Sequence, residues 1–219
     1  MIRFDPIGWF ERIIPSEWMH RIIRLSAFVI ILYFLIIRIG QYHNYFFKPL
    51  WLVETLLFTV LVIAFIVRSN PVDRSQGIRE IIIPLIGSFL PFCLLKTHPS
   101  TLIAGDAGLL TAVFLWMTLA TSLTTWGMWT LRHSFSITVE ARGLVTRGPY
   151  RWVRHPVYLG EILAATSVVV WRWSWINLAI LLLFVIIQLL RSRLEESKLE
   201  KVFPVYRDIL SKSRWFWKI

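Results

Sequence analysis

The stretch Pro49-Leu-Trp-Leu-Val-Glu-Thr-Leu-Leu-Phe-Thr-Val-Leu-Val-Ile-Ala-Phe-Ile-Val67 decides the class of fold. Only Glu54 in it is charged, and the run nearly reaches the roughly 20 apolar residues with which a helix crosses a bilayer. Further apolar runs lie around it at about 22–40, 81–95, 107–131, 156–171 and 174–190. Of the 219 residues, 56% are apolar and 17% charged, against roughly 25% charged in an ordinary soluble domain. Mean hydropathy is +0.61. One soluble core of this size could not hide that much apolar surface, and disordered chains are poor in it. The sequence predicts an all-α, polytopic integral membrane protein with about six transmembrane helices.

The third run is short and carries Pro84 and Pro91, so it is expected to kink or to pack among other helices. The last two runs meet at Arg172-Trp173-Ser174 and read as a C-terminal helical hairpin, with Trp171, Trp173 and Trp175 at the membrane interface. Asp106 is placed to cap the fourth helix. Glu54 either faces a cavity or snorkels to the outer end. Phe4, Ile7, Trp9, Phe10, Ile13 and Ile14 fit an amphipathic segment on the membrane surface; the mixed charges around them do not fit a cleavable signal. No linker separates domains, so 1–131 and 132–219 are read as two parts of one structural unit. Cys93 stands alone, which excludes an intramolecular disulfide and a thiolate-built metal site.

The net charge of +11 would point to nucleic acid in a soluble chain. Here the anionic inner leaflet is the expected partner, and no nucleic acid is expected. Lysine and arginine number 4 in the N-terminal segment with its helix start, 3 in 68–80, 5 in 132–155 and 8 after 190, against 4 (Arg38, Lys48, Lys96, Arg172) on the other side. By the positive-inside rule both termini are cytoplasmic.

Two stretches on that side carry unusual chemistry. In Gly143-Leu-Val-Thr-Arg-Gly-Pro-Tyr-Arg-Trp-Val-Arg-His-Pro-Val-Tyr-Leu-Gly160, Gly148-Pro149 signals a turn and Pro156 suits a helix's first turn. Arg154 and His155 then sit at a helix N-terminus, which favours an anion, with Tyr150, Trp152 and Tyr158 as aromatic faces. In the bland alternative, Arg142, Arg147, Arg151 and Arg154 touch lipid phosphates, the aromatics form an interface belt and His155 caps the helix. The second stretch, Arg191 to Tyr206, continues the last membrane helix and spaces Arg191 four residues before Glu195. Its bland reading is a solvated helix with weak local ion pairs.

Together the two stretches resemble the isoprenylcysteine carboxyl methyltransferase family of integral membrane methyltransferases, a group that includes phospholipid N-methyltransferases. The resemblance runs from about Glu140 to Tyr206. Its carriers are Leu144-Val145-Thr146, Gly148, Tyr150, Arg154-His155-Pro156, Tyr158 and Gly160, then Arg191, Glu195-Glu196, Phe203 and Tyr206. The first four membrane segments carry no matching motif. The resemblance implies an S-adenosyl-L-methionine site on the cytoplasmic face, formed by the loop and the start of helix five and closed by the post-hairpin helix. It implies cofactor contacts from Arg142, Gly143, Leu144, Val145, Tyr150, His155, Pro156, Val157, Tyr158 and Glu195, and a catalytic role for His155 and for Arg191 as the residue orienting the methyl acceptor. A cofactor-contacting glutamine found in family members is missing; Phe135 or His133 stands nearest its place.

Those residue types suit the cofactor: Glu195 can meet its ammonium, and the His155 helix terminus its carboxylate. Neither a metal nor a covalent nucleophile is required, since methyl transfer depends mainly on positioning. The family name suggests a prenylated cysteine carboxylate as acceptor, and Arg191, with its two-pronged fork, suits an anionic one. A phospholipid amine or another small lipophilic acceptor is the alternative. An NADPH-dependent sterol-reductase-like enzyme is a rival of another class.

The topology is testable with reporter fusions after residues 72, 102, 140 and 219. They are expected to read inside, outside, inside and inside. An outside signal at 140 would place both motif stretches away from cytosolic cofactor.

Overall fold

The computed structural model describes the backbone of residues 16–75 and 79–208 and, from residue 25 on, their side chains. The expected amphipathic segment at Phe4–Ile14 lies outside these residues. The elements run α1 (Ser16–Gly40), α2 (Lys48–Val67), α3 (Arg79–Phe89), a 3-10 segment (Leu90–Lys96), α4 (Thr101–Ala104), α5 (Ala107–Leu131), a 3-10 turn (Gly148–Arg151), α6 (Pro156–Trp171) and α7 (Trp175–Val202). No strand occurs among the described residues; one isolated antiparallel bridge joins Asp73 to Ala141.

Three of these helices, α2, α5 and α7, are long and apolar enough to cross a membrane; Leu25–Gly40 and α6 are apolar but shorter. Many large apolar side chains face outward, among them Leu102, Leu119, Trp175 and Ile176. That outer surface suits lipid rather than water. The threonine hydroxyls of α5 are satisfied within the helix: Thr111, Thr118, Thr121, Thr124, Thr125 and Thr130 each donate to the carbonyl four residues earlier. Hydroxyls bonded this way need no water.

Local signals explain the helix ends. Asp106 caps α5 as expected, accepting from the Gly108 and Leu109 amides at 2.8 and 3.0 Å. Ser174 does the same for α7, accepting from the Asn177 amide at 3.1 Å. The proline-bearing third run does not form one helix: α3 holds Pro84 buried inside it, then gives way to the 3-10 segment that begins at Leu90-Pro91. Only Arg172, Trp173 and Ser174 separate α6 from α7. Asn177, fully buried, ties that turn to the 3-10 segment through Thr97 Oγ1 and the Leu94 and Arg172 carbonyls.

Helix α5 is the central element, packing on α2 and α6, while α7 packs on α3, the 3-10 segment and α6. The α5–α6 contact is close because small residues line it. A side-chain carbon on Gly160 would stand 2.2 Å from Thr124 Oγ1 and 2.8 Å from the Ala120 carbonyl oxygen. One on Gly127 would stand 2.8 Å from Val157. At the end of this contact nearer residues 132–155, Val60, Ala64, Phe65, Met128, Phe135, Val157 and Tyr158 form one core cluster. A second cluster joins Leu94, Ala165, Val169 and Phe184.

Gly160→Ala is expected to force the two backbones apart and to destabilise by about 1 to 3 kcal/mol, the scale of overpacking. Gly40→Ala meets open space and is the matched control. Thermal unfolding in detergent should show a fall in Tm for the first and little change for the second.

Candidate functional site

The loop 132–155 is held in place before any site residue acts. Ala141 exchanges backbone hydrogen bonds with Asp73 at 3.0 and 3.2 Å, and the Val72 amide donates to the Ala141 carbonyl at 2.7 Å. The Val139 amide donates to the Glu80 carbonyl at 3.0 Å. Arg142 sits between the same two loops: it donates to the Ser69 carbonyl and pairs with Glu140 Oε2 at 2.5 Å. Glu140 in turn accepts from Ser136 Oγ at 2.8 Å. A turn at Gly148 (φ +59°) then redirects the chain. That backbone conformation favours glycine, and Thr130 Oγ1 stands where a side chain would begin.

Helix α7 closes over this loop because Lys198 is buried against 68–80. Its ammonium meets Glu80 Oε2 at 2.5 Å and Asp73 Oδ2 at 3.5 Å, and donates to the Arg74 carbonyl. A buried ammonium is tolerated only with such partners. The anchored helix presents Arg191, Glu195 and Glu196 to the start of α6.

There, His155 Nε2 lies 2.9 Å from Glu196 Oε1, with Arg154 3.7 Å from the same oxygen. The His155 ring stacks on Tyr158, with centroids 5.4 Å apart and planes 8° from parallel. The Tyr158 hydroxyl donates to Glu195 Oε1, and the Arg191 guanidinium lies over the Tyr158 ring at 4.8 Å. Arg191 Nε is 3.5 Å from Glu195 Oε1, and Nη2 donates to the Ile137 carbonyl at 3.1 Å. His155 is the N-cap residue of α6 by position, but its side chain makes no capping bond. Burial and then the charges of Glu195 and Glu161 raise the Tyr150 phenol, and burial and then Glu196 do the same to Tyr206. Both phenols therefore stay protonated at neutral pH.

A single cavity is walled by both motif stretches. Of the residues singled out from the sequence, Arg142, Gly143, Leu144, Val145, Tyr150 and His155 line it, as do Val157, Tyr158, Arg191 and Glu195. Pro156 does not, although it is buried beside them. Phe135 lines the cavity, whereas His133 turns its Nδ1 to the Val67 carbonyl at 3.1 Å. Arg142 Nε and Arg191 Nε are buried without a hydrogen-bond acceptor.

Three features escape the sequence reading. Glu196, rather than Glu195, is the partner of His155. Glu161, bonded by buried Gln188, lies close enough to Arg191 and Glu195 for their charges to act on one another. An acid inside the apolar run 156–171 is itself a flag that could have found it. Lys198 leaves no signal, because its partners lie far off in sequence.

Residues 100–205 match the phospholipid methyltransferase family model. The match begins well before the stretch carrying the resemblance and takes in α5, which the motifs alone did not. No curated protein and no solved structure shows a significant match to the chain.

If His155 and Glu196 act as one unit, His155→Gln, Glu196→Gln and the double variant should be non-additive. An interaction energy of about 0.5 to 3 kcal/mol is expected in a double-mutant cycle, read from chemical unfolding. Additive losses would mean the two side chains act separately.

Proposed function

We propose that this chain, whose residues 100–205 match the phospholipid methyltransferase family model, is an S-adenosylmethionine-dependent integral membrane enzyme that methylates a lipid amine at the cytoplasmic face. The observation that supports it best is the one cavity walled by both motif stretches, with carboxylate, guanidinium and aromatic groups on its wall. The family supplies the reaction type, methyl transfer.

The chemical groups on the wall match those of the cofactor, and the cavity of about 120 Å³ must widen to admit it. The buried N–H group at Arg142 Nε lacks an acceptor and suits a carboxylate. Glu195 suits an ammonium, and the rings of Tyr150 and Phe135 suit a planar base. When bound, S-adenosylmethionine supplies an electrophilic methyl group. The protein's part is to hold the acceptor in line and to keep water out. Tyr158 orients Glu195 by donating to its Oε1, and Arg191 pairs with the same oxygen.

The state of Arg191 bears on the acceptor. Its guanidinium is held by Glu195, the Tyr158 ring and the Ile137 carbonyl, and Glu161 adds a further carboxylate nearby. A carboxylate acceptor would have to draw the fork away from these partners. An amine acceptor gains from the two carboxylates, Glu195 and Glu161, that lie near this one guanidinium, in keeping with the phospholipid chemistry of the matched family. An ammonium must lose a proton before it attacks, and the His155–Glu196 pair offers a route for it. A prenylcysteine-like carboxylate is the second reading, favoured by the arginine type itself.

With cofactor alone, Glu195→Gln should weaken S-adenosylmethionine binding by roughly 1.5 to 3 kcal/mol, the scale of a charge-assisted hydrogen bond. Glu200→Gln should change it little, since Glu200 pairs outward with Arg207. Calorimetry with purified protein reads both. A labelled-methyl assay on native lipid extract should then place label in amine phospholipids. Label in carboxylate-bearing lipids instead, lost in Arg191→Lys, would establish the second reading.

A further inference from the structure

A second cavity of about 550 Å³ lies at the opposite end of the bundle, where α1 and α2 meet the 3-10 segment, α5 and the end of α6. Its volume is within the roughly 300–1,000 Å³ of small-ligand pockets. On α5, Met117 and Thr121 line this cavity and Met128 the first, so the nearest lining residues are about 10 Å apart at 1.5 Å rise per residue. Between them the tight Gly160–Thr124 packing closes the core.

Its wall is apolar, with Phe47, Leu50, Leu94, Phe114, Val168 and Trp171 among the lining residues. Phe46 and Phe92 also line it and are 70% and 54% exposed, so the rim is apolar and turned outward, toward lipid. Against this wall stands one polar cluster. Arg38 Nη1 pairs with Glu54 Oε2 at 2.9 Å, the Tyr45 hydroxyl donates to the same oxygen at 2.5 Å, and Arg38 donates to the Tyr45 hydroxyl. Burial, with Glu54 beside it, raises the Tyr45 phenol, so Tyr45 remains a donor.

We propose that this cavity is a binding site for a zwitterionic phospholipid, its acyl tail against the apolar wall and its head at Arg38, Tyr45 and Glu54. The pairing selects the head. An anionic head would draw Arg38 from Glu54 and leave a carboxylate uncompensated in apolar surroundings, and a cationic head would do the reverse to Arg38. Stranding one partner of such a pair is strongly unfavourable. A head carrying both charges can offer its phosphate to Arg38 and its ammonium to Glu54 without stranding either. The site is distinct from the methyl-transfer cavity and does not rest on the reading given for it.

The test uses the purified full-length protein in detergent with phosphatidylcholine bearing a photoreactive diazirine in its acyl tail. Crosslinked peptides are expected from 114–121 and 164–171. Unlabelled phosphatidylcholine should displace the probe at about tenfold lower concentration than phosphatidylglycerol. Ala164→Leu, which narrows the cavity, should remove these crosslinks. Glu54→Gln, which leaves Arg38 unopposed, should shift the preference about tenfold toward phosphatidylglycerol. Crosslinks spread evenly over outward residues such as Leu102 and Leu119, without competition, would mean boundary lipid only and overturn the proposal. Equal competition by both lipids in wild type would overturn it as well, whether or not either variant folds.

Discussion

An ion placed in an apolar bundle persists only with a counter-charge or hydrogen-bonding partner at hand, because no water is there to replace it. That constraint shapes this molecule more than any single helix does. Lys198 draws α7 onto 68–80, Arg142 ties 132–155 to the same loop, and Arg191 with Glu195 joins α7 to Tyr158 on α6. Each of these links joins elements distant in sequence. Two of the partners of Lys198, Glu80 and Arg74, lie 118 and 124 residues from it. The cavity walls are thus assembled by the same contacts that neutralise the buried charges.

Close helix packing supplies the frame for these pairs. Lipid offers little drive for two apolar helices to associate, so small residues that let backbones approach carry much of the work. Gly127 and Gly160 allow α6 to lie against α5, which puts Val157 and Tyr158 into the core cluster of Phe65 and Met128. Tyr158 therefore belongs to both the core and the cavity. Its ring is fixed by packing, and its hydroxyl and face fix Glu195 and Arg191 in turn. A displacement of α6 would move the whole polar constellation.

The two ends of the bundle apply the same chemistry differently. Near residues 132–155 the buried charges lie on a wall shared with loops and an extended helix, where Arg142, Arg154 and Arg191 stand with Glu140 and Glu195. At the far end Arg38, Tyr45 and Glu54 form a self-contained neutral cluster beside an apolar space. The first arrangement suits a charged cofactor arriving from water. The second suits an amphiphile arriving from lipid.

Much was legible in the sequence because it follows from local rules. The apolar runs gave the helices α2, α5 and α6 nearly to the residue, since hydropathy and length govern a membrane helix directly. Asp106 announced the start of α5 by its capping chemistry, and Pro84 with Pro91 announced an interrupted third run. The family resemblance of the two motif stretches marked most of the residues that line the first cavity. What the sequence could not supply was pairing. Arg191 and Glu195 are four apart and foreseeable, but whether His155 would face Glu195 or Glu196 depends on the rotation of α7. That rotation is set by Lys198 seating on Asp73 and Glu80. Likewise Glu54 stood out as a lone acid in an apolar helix, and only the tertiary structure brought Arg38 and Tyr45 to it from another helix and a loop. Local propensity acts through neighbours in the chain; the neutralisation of buried charge acts through neighbours in space.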